Sequence, residues 1–132
     1  MSNPSAAGVR ISRATPQADL AAVVWPGVST IYHPRTESAE QIQAVAQHID
    51  QLERRRGIRP GTVRVVPLVE TPLGVAMARE IAASSQRIQS FGVGPNIDMD
   101  LDADALAYAR AECELIARAL DLEPLDVQRV LD

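Results

Sequence analysis

The sequence predicts an α/β fold in which parallel strands alternate with helices, and three observations carry that reading. Residues 63–69 are an almost unbroken apolar run, the pattern of a strand covered on both faces by helices. Two segments place apolar residues at helical spacing: Ile42, Val45, Ile49 and Leu52 in one, and Leu106, Ala109, Cys113, Ile116, Ala117 and Leu120 in the other. Strand and helix signals then follow each other in turn along the chain. Repeated βα units build either an open doubly wound sheet or a β/α barrel.

Residues 1–8 are small and polar, with Pro4, and are expected to form a flexible N-terminus ahead of a single domain over residues 9–132. Val9-Arg10-Ile11 is a short strand. Residues 19–24 form a short helix closed by Trp25-Pro26-Gly27, and residues 29–33 form a strand halted by Pro34. Ser38, with Gln41 three residues on, fits a capping box at the start of the first long helix. Arg54, Arg55 and Arg56 suit that helix's C-terminus, and Gly57 stops it. After the strand at 63–69, Thr71 is a suitable N-cap and Pro72 a suitable first residue for a helix reaching about Ser84. Residues 88–93 are another strand, Gly94-Pro95-Asn96 a loop, and residues 103–120 the second long helix. Leu125-Asp126-Val127 begins one more strand. A complete barrel has eight strands and about 250 residues. By that measure 132 residues make half a barrel or a small open sheet.

Composition removes several function classes. With 13 basic and 17 acidic residues the net charge is −4, so no field draws the chain to nucleic acid. Aromatic content of 3% leaves little for stacking bases. Every basic residue counted is arginine; the absence of lysine removes Schiff-base chemistry. Cys113 is the single cysteine, which rules out disulfides within the chain and fits a reducing cytoplasm. No run approaches the apolar length of a membrane span, and no signal-peptide pattern opens the chain.

Glu70 is the most informative residue. It follows the apolar strand directly, at the carboxyl end where α/β folds and β/α barrels carry their chemistry. A buried carboxylate is costly unless it is paired or metal-bound. The competing reading makes Glu70 a structural carboxylate capping the next helix. Arg10 has the bland alternative of a surface arginine on an edge strand, and Arg35 that of a solvated or ion-paired side chain. The alternation Asp98, Asp100, Asp102 and Asp104 lacks the glycine and terminal glutamate of an EF-hand loop, so it reads as an acidic helix start. His33 reads as structural and Cys113 as core.

Several segments, in order, resemble those of a known family. Val9-Arg10-Ile11-Ser12 is similar to a "VRIN" strand, and residues 31–40 to an "(I/M)LPKxESAE" segment with Arg35 in place of lysine. Residues 67–74, PLVETPLG, are similar to "PLIETPxG"; Phe91-Gly92 stands where "FGxxD" is expected. Tyr108-Ala109-Arg110 with Ala117-Arg118-Ala119 resembles a "YAR…AARA" helix, and Leu125-Asp126-Val127 an "IDxV" segment. These are segments of the citrate lyase β chain and its relatives, the malyl-CoA-type lyases and metal-dependent 2-keto acid aldolases.

The resemblance implies a partial (β/α) barrel of the TIM type, possibly truncated, that uses Mg²⁺ to make or break a carbon–carbon bond. The implied substrate is a small acyl-CoA, related thioester or 2-keto acid. It further implies Glu70 as a catalytic metal ligand and Arg10 as the arginine that grips a substrate carboxylate or carbonyl; Arg35, whose alternative is a solvated or ion-paired side chain, is a candidate contact for CoA phosphate. The second ligand departs from the family pattern, because ungapped counting puts Pro95 where the family has aspartate. Alignment of residues 94–102 with "GPNDLSMDLG" points to Asp98, or less well Asn96; an ionised oxygen holds Mg²⁺ better than an amide. The implied partners are the substrate, and either a homo-oligomer or a chain completing the barrel, with no nucleic acid and no membrane. The alternative function is that of a truncated, inactive paralogue serving as a structural or partner subunit.

Overall fold

The structure, a computed structural model, describes residues 7–11, 16–97 and 101–125. Among the described residues ten elements follow in order: β1 (Ala7–Arg10), α1 (Pro16–Val23), β2 (Val28–His33), α2 (Ala39–Arg55), β3 (Arg64–Val69), α3 (Pro72–Ala76), α4 (Ala78–Ala82), β4 (Ser90–Val93), α5 (Ala103–Ala119) and β5 (Glu123–Pro124). The local signals explain the boundaries. The Ser38 hydroxyl accepts the Gln41 N–H at 3.2 Å while the Gln41 side chain takes the N–H of Ser38, also at 3.2 Å. Both halves of the capping box are therefore present. Asp102 caps α5 by accepting the Ala105 N–H at 2.7 Å, as an acidic helix start should.

The strands form one sheet in the order β1-β2-β3-β4-β5, and every neighbouring pair is parallel. A doubly wound sheet reverses its strand order partway across. Here the order never reverses, so the chain winds in one direction and traces an arc of a β/α barrel. The helices follow the same course, with α1 against α2, α2 against α4, and α4 against α5.

The two faces of the sheet bury different side chains. Ile31, Val65, Val69, Phe91 and Val93 pack with Ile42, Val45 and Ile49 of α2, Ala78 and Ile81 of α4, and Ala109, Cys113 and Ile116 of α5. Tyr32, Val66 and Leu68 form a separate cluster with Leu125 on the opposite face, the inside of the arc. Strand alternation places Val66, Leu68 and then Glu70 on this inner side. Cys113 belongs to the outer core, where burial above all, and the nearby Glu112 charge, push its thiol up to about 12.

At the amino ends of β3 and β4 lies a buried ionic cluster that residue spacing did not reveal. The Arg87 guanidinium forks onto Glu53, with Nη1 to Oε2 at 3.1 Å and Nη2 to Oε1 at 2.7 Å. It also donates to the Val63 carbonyl at 2.8 Å and to the Asp50 carboxylate. Glu53 accepts the N–H groups of Gly61 and Val63, each at 3.0 Å, so the cluster ties α2 to the segments entering β3 and β4. In β/α barrels this end serves stability rather than chemistry.

Two expectations need correction. Residues 72–84 were expected as one helix but form α3 and α4, separated at Met77 (φ −101°, ψ 10°). Hydrogen bonds still run through the break, from Met77 N–H to Leu73 and from Ile81 N–H to Met77, so it is a kink rather than a loop. The last strand comes earlier than 125–127: β5 pairs Glu123 with Ser90 and Pro124 with Phe91. Asp126 and Val127 lie outside the described residues.

Candidate functional site

β3 delivers Glu70 to the carboxyl rim of the sheet, with none of its surface exposed. Its two oxygens are held by different loops. Oε1 accepts the backbone N–H of Arg35 at 2.8 Å, from the loop after β2, and Oε2 accepts that of Asn96 at 2.9 Å, from the loop after β4. A carboxylate has about four lone-pair sites, so each oxygen retains capacity to accept once more. The helix-capping reading of Glu70 does not hold. Thr71 caps α3, accepting the Gly74 N–H at 3.0 Å and donating its hydroxyl to Glu37 at 2.7 Å.

Glycines make room for this arrangement. A Cβ on Gly94 would lie 2.8 Å from Glu70 Cγ and 2.9 Å from both its Cδ and Oε2. One on Gly74 would lie 2.6 Å from the Thr36 carbonyl oxygen, so α3 rests directly on the loop after β2. Gly94→Ala is therefore expected to force the Glu70 carboxylate out of its cradle. An overpacked core site typically costs about 1–3 kcal/mol. A lower urea midpoint with an unchanged slope is the expected result.

The other residues singled out from sequence are placed as follows. Arg10 is exposed on β1, in register with Tyr32 of β2, which in turn pairs with Val66 of β3. This puts it on the same inner face as Glu70 but four residues short of it along the strand direction, about 13 Å at the usual rise. Arg35 has an exposed side chain and a left-handed backbone (φ 48°); its main-chain N–H, not its guanidinium, meets Glu70. Asn96 also meets Glu70 through its main chain, with its side chain exposed. Asp98 lies outside the described residues. Among the described residues no group of three or more His, Cys, Asp or Glu side chains is placed to hold a metal ion. Glu70 itself fits a first ligand: an ionisable oxygen pair, pre-oriented by two N–H donors, in a cradle that a single added Cβ would fill. His33 is buried, with its Nδ1 2.7 Å from the Thr36 hydroxyl.

Sequence reasoning missed the main-chain donors at Arg35 and Asn96 and the cradle glycine Gly94. A glycine directly after a buried strand, in a loop beside a strand-end carboxylate, was the available signal for the last of these. An open cleft of about 790 Å³ lies between β4 and α5, lined by Phe91, Gly94, Asn96, Arg110, Cys113 and Leu125 among others. Glu70 does not line it. No helix among the described residues is long and apolar enough to cross a membrane.

A singly wound parallel arc with a buried carboxylate at its carboxyl rim defines the class: an α/β protein whose strands trace part of a β/α barrel, with Glu70 at the carboxyl rim. The family model described as HpcH/HpaI aldolase/citrate lyase matches residues 2–126, and the chain belongs to that family. It is 33% identical over 76 residues to the citrate lyase subunit beta of Haemophilus influenzae, a stretch covering 58% of this chain and 26% of that one. The subunit from Escherichia coli K12 is likewise 33% identical over 76 residues, covering 58% of this chain and 25% of its own. The fold is similar to the crystal structure of protein CitE from Mycobacterium tuberculosis in complex with magnesium and acetate. That likeness has a TM-score of 0.62 at 23% identity, over 95% of this chain and 52% of the other. The chain thus spans about half of that structure, and the aligned stretch about a quarter of each curated relative.

Proposed function

We propose that this chain contributes the catalytic rim of a Mg²⁺-dependent carbon–carbon lyase of the citrate lyase β-chain type. Its substrate would be a small acyl-CoA, a related thioester or a 2-keto acid. One observation carries the reading: Glu70 is a buried carboxylate at the carboxyl end of a barrel strand, each oxygen oriented by one main-chain N–H and able to accept once more. Family membership supports it, as does the magnesium bound in the structurally similar CitE.

Glu70 would hold the ion as the first protein ligand, with Asp98 as the second and Asn96 as the alternative. Magnesium keeps several waters and needs only one or two carboxylates from the protein. Bound there, it would supply positive charge to the enolate oxygen that develops when the bond between the α and β carbons of a carbonyl compound breaks. The chain's own part is orientation and shielding. Glu70 is excluded from bulk water by the loops carrying Arg35 and Asn96. Arg10, on the same sheet face, would grip a substrate carboxylate or carbonyl through its planar set of donors. The exposed Arg35 guanidinium would contact phosphate groups of CoA. In this reading the protein acts in the cytoplasm, as a homo-oligomer or completed by a partner chain.

The test is turnover by the protein with citryl- or malyl-type thioesters and with 4-hydroxy-2-keto acids, with and without Mg²⁺. Release of a keto acid or acetyl thioester that requires Mg²⁺ is the expected outcome. A second reading, an inactive structural or partner subunit, is favoured by Pro95 standing where the family has aspartate. Absence of turnover together with a stable oligomer in light scattering would decide for it.

A further inference from the structure

The loop after β2 is held more tightly than a connecting turn needs. The Thr36 N–H donates to the Leu68 carbonyl at 3.0 Å, and the Thr36 hydroxyl donates to the His33 carbonyl at 2.8 Å. His33 Nδ1 lies 2.7 Å from the same hydroxyl. A carbonyl can only accept, and a hydroxyl has one hydrogen. The Nδ1 atom therefore carries the proton and donates to Thr36 Oγ1. Thr36 is wholly buried and His33 nearly so. Between them stands Arg35, an ordinary residue in the left-handed region (φ 48°), with its N–H 2.8 Å from Glu70 Oε1. A strained backbone of this kind persists where the surroundings over-determine it. Here the surroundings are the His33–Thr36 pair, and the outcome of the strain is one N–H aimed at one carboxylate oxygen.

We propose that Thr36 and His33 are positioning residues for Glu70, acting through the main-chain N–H of Arg35 to set the orientation of the carboxylate. The proposal deepens the reading of Glu70 as a metal ligand and rests on it. Asn96 holds the other oxygen. With the Arg35 donor withdrawn, a single anchor remains and the carboxylate can turn about its last side-chain bond. A ligand free to turn presents its lone pairs to the ion for only part of the time. Groups that orient a metal ligand typically change metal affinity about 10- to 100-fold when removed.

The experiment is calorimetric titration with MgCl₂, paired with thermal melting, on the parent, Thr36→Val, Thr36→Ser, His33→Phe, His33→Asn and Glu70→Gln. Thr36→Val keeps the shape and loses the hydroxyl; it is expected to weaken Mg²⁺ binding about 10- to 100-fold while folded. Thr36→Ser restores the hydroxyl and parental affinity. His33→Phe and His33→Asn form an independent pair, because Asn keeps an N–H donor near the Nδ1 position; they decide the matter if Thr36→Val does not fold. A lower melting temperature with unchanged Mg²⁺ affinity in the folded variants would make the pair merely structural and overturn the proposal. Amide exchange at Arg35 and Asn96 without metal supplies a second readout. Faster exchange at Arg35 but not Asn96 in Thr36→Val supports the proposal, and unchanged exchange at Arg35 overturns it. If Glu70→Gln binds Mg²⁺ as the parent does, the metal-ligand reading fails, and the exchange data still judge the positioning role.

Discussion

Arg87→Ala is expected to lower stability by about 3–5 kcal/mol, the usual consequence of removing one partner from a buried ion pair. Arg87 reaches Glu53 through two parallel N–H donors, and the Glu53 side chain is only 1% exposed. Without the guanidinium, Glu53 keeps its bonds from Gly61 and Val63 but remains a buried, uncompensated charge. Glu53→Ala should cost less than Arg87→Ala, because the larger Arg87 can still donate to Asp50 and the Val63 carbonyl. Urea denaturation of the two single variants tests that order; equal, small losses would mean that the cluster is well solvated.

The pH dependence follows with a definite sign. Burial alone would raise the Glu53 carboxyl, but Arg87 and the N–H groups of Val63 and Gly61 together hold it below its ordinary value of 4.5. A group with a depressed folded pKa contributes stability that is complete above the unfolded value and lost as pH falls through the folded one. The parent should therefore lose this contribution only below about pH 4.5. In Arg87→Ala the burial that raises the Glu53 carboxyl loses its main counterweight, so protonation relieves the stranded charge at a higher pH. The gap between the two proteins should begin to narrow above about pH 4.5 and go on closing below it. Melting curves from neutral pH downward measure it directly.

The features legible in the sequence were those encoded within a few residues. The Ser38–Gln41 box, the Thr71-Pro72 start and the apolar run into Glu70 are each local, and each stands where spacing put it. Glu53 and Arg87 are separated by 34 positions, and an acidic residue following Leu52 looks like the solvent side of a helix end. Its burial comes from α2 lying across the entry to β3, which no periodicity records. Periodicity alone left an open sheet and a barrel arc both open, since the choice depends on strand order; the resemblance of the ordered segments pointed to the barrel arc, and the unreversed strand order agrees. At the site, residue type pointed to side chains at Arg35 and Asn96, whereas the fold uses their peptide groups. Any residue except proline carries such a donor, so the sequence holds no signal for it.

Glu70→Gln should prove far from conservative, for a reason visible before any metal is added. The carboxylate is an acceptor at both oxygens, facing one N–H from each side. An amide presents NH₂ on one side, so whichever way it is flipped one main-chain donor meets another donor. Leaving a buried donor unsatisfied costs about 1–3 kcal/mol, and the metal-free variant should lose that much in urea denaturation. The second consequence appears only with the ion. A ligand that binds the folded state alone stabilises it by about 2.7 kcal/mol at one hundred times its dissociation constant. If Glu70 is the first metal ligand, saturating MgCl₂ should raise the melting temperature of the parent and leave that of Glu70→Gln where it was. The two readouts separate the cradle from the ligand. A destabilised variant that still responds to Mg²⁺ would preserve the hydrogen-bond geometry argued here while removing Glu70 from the metal site.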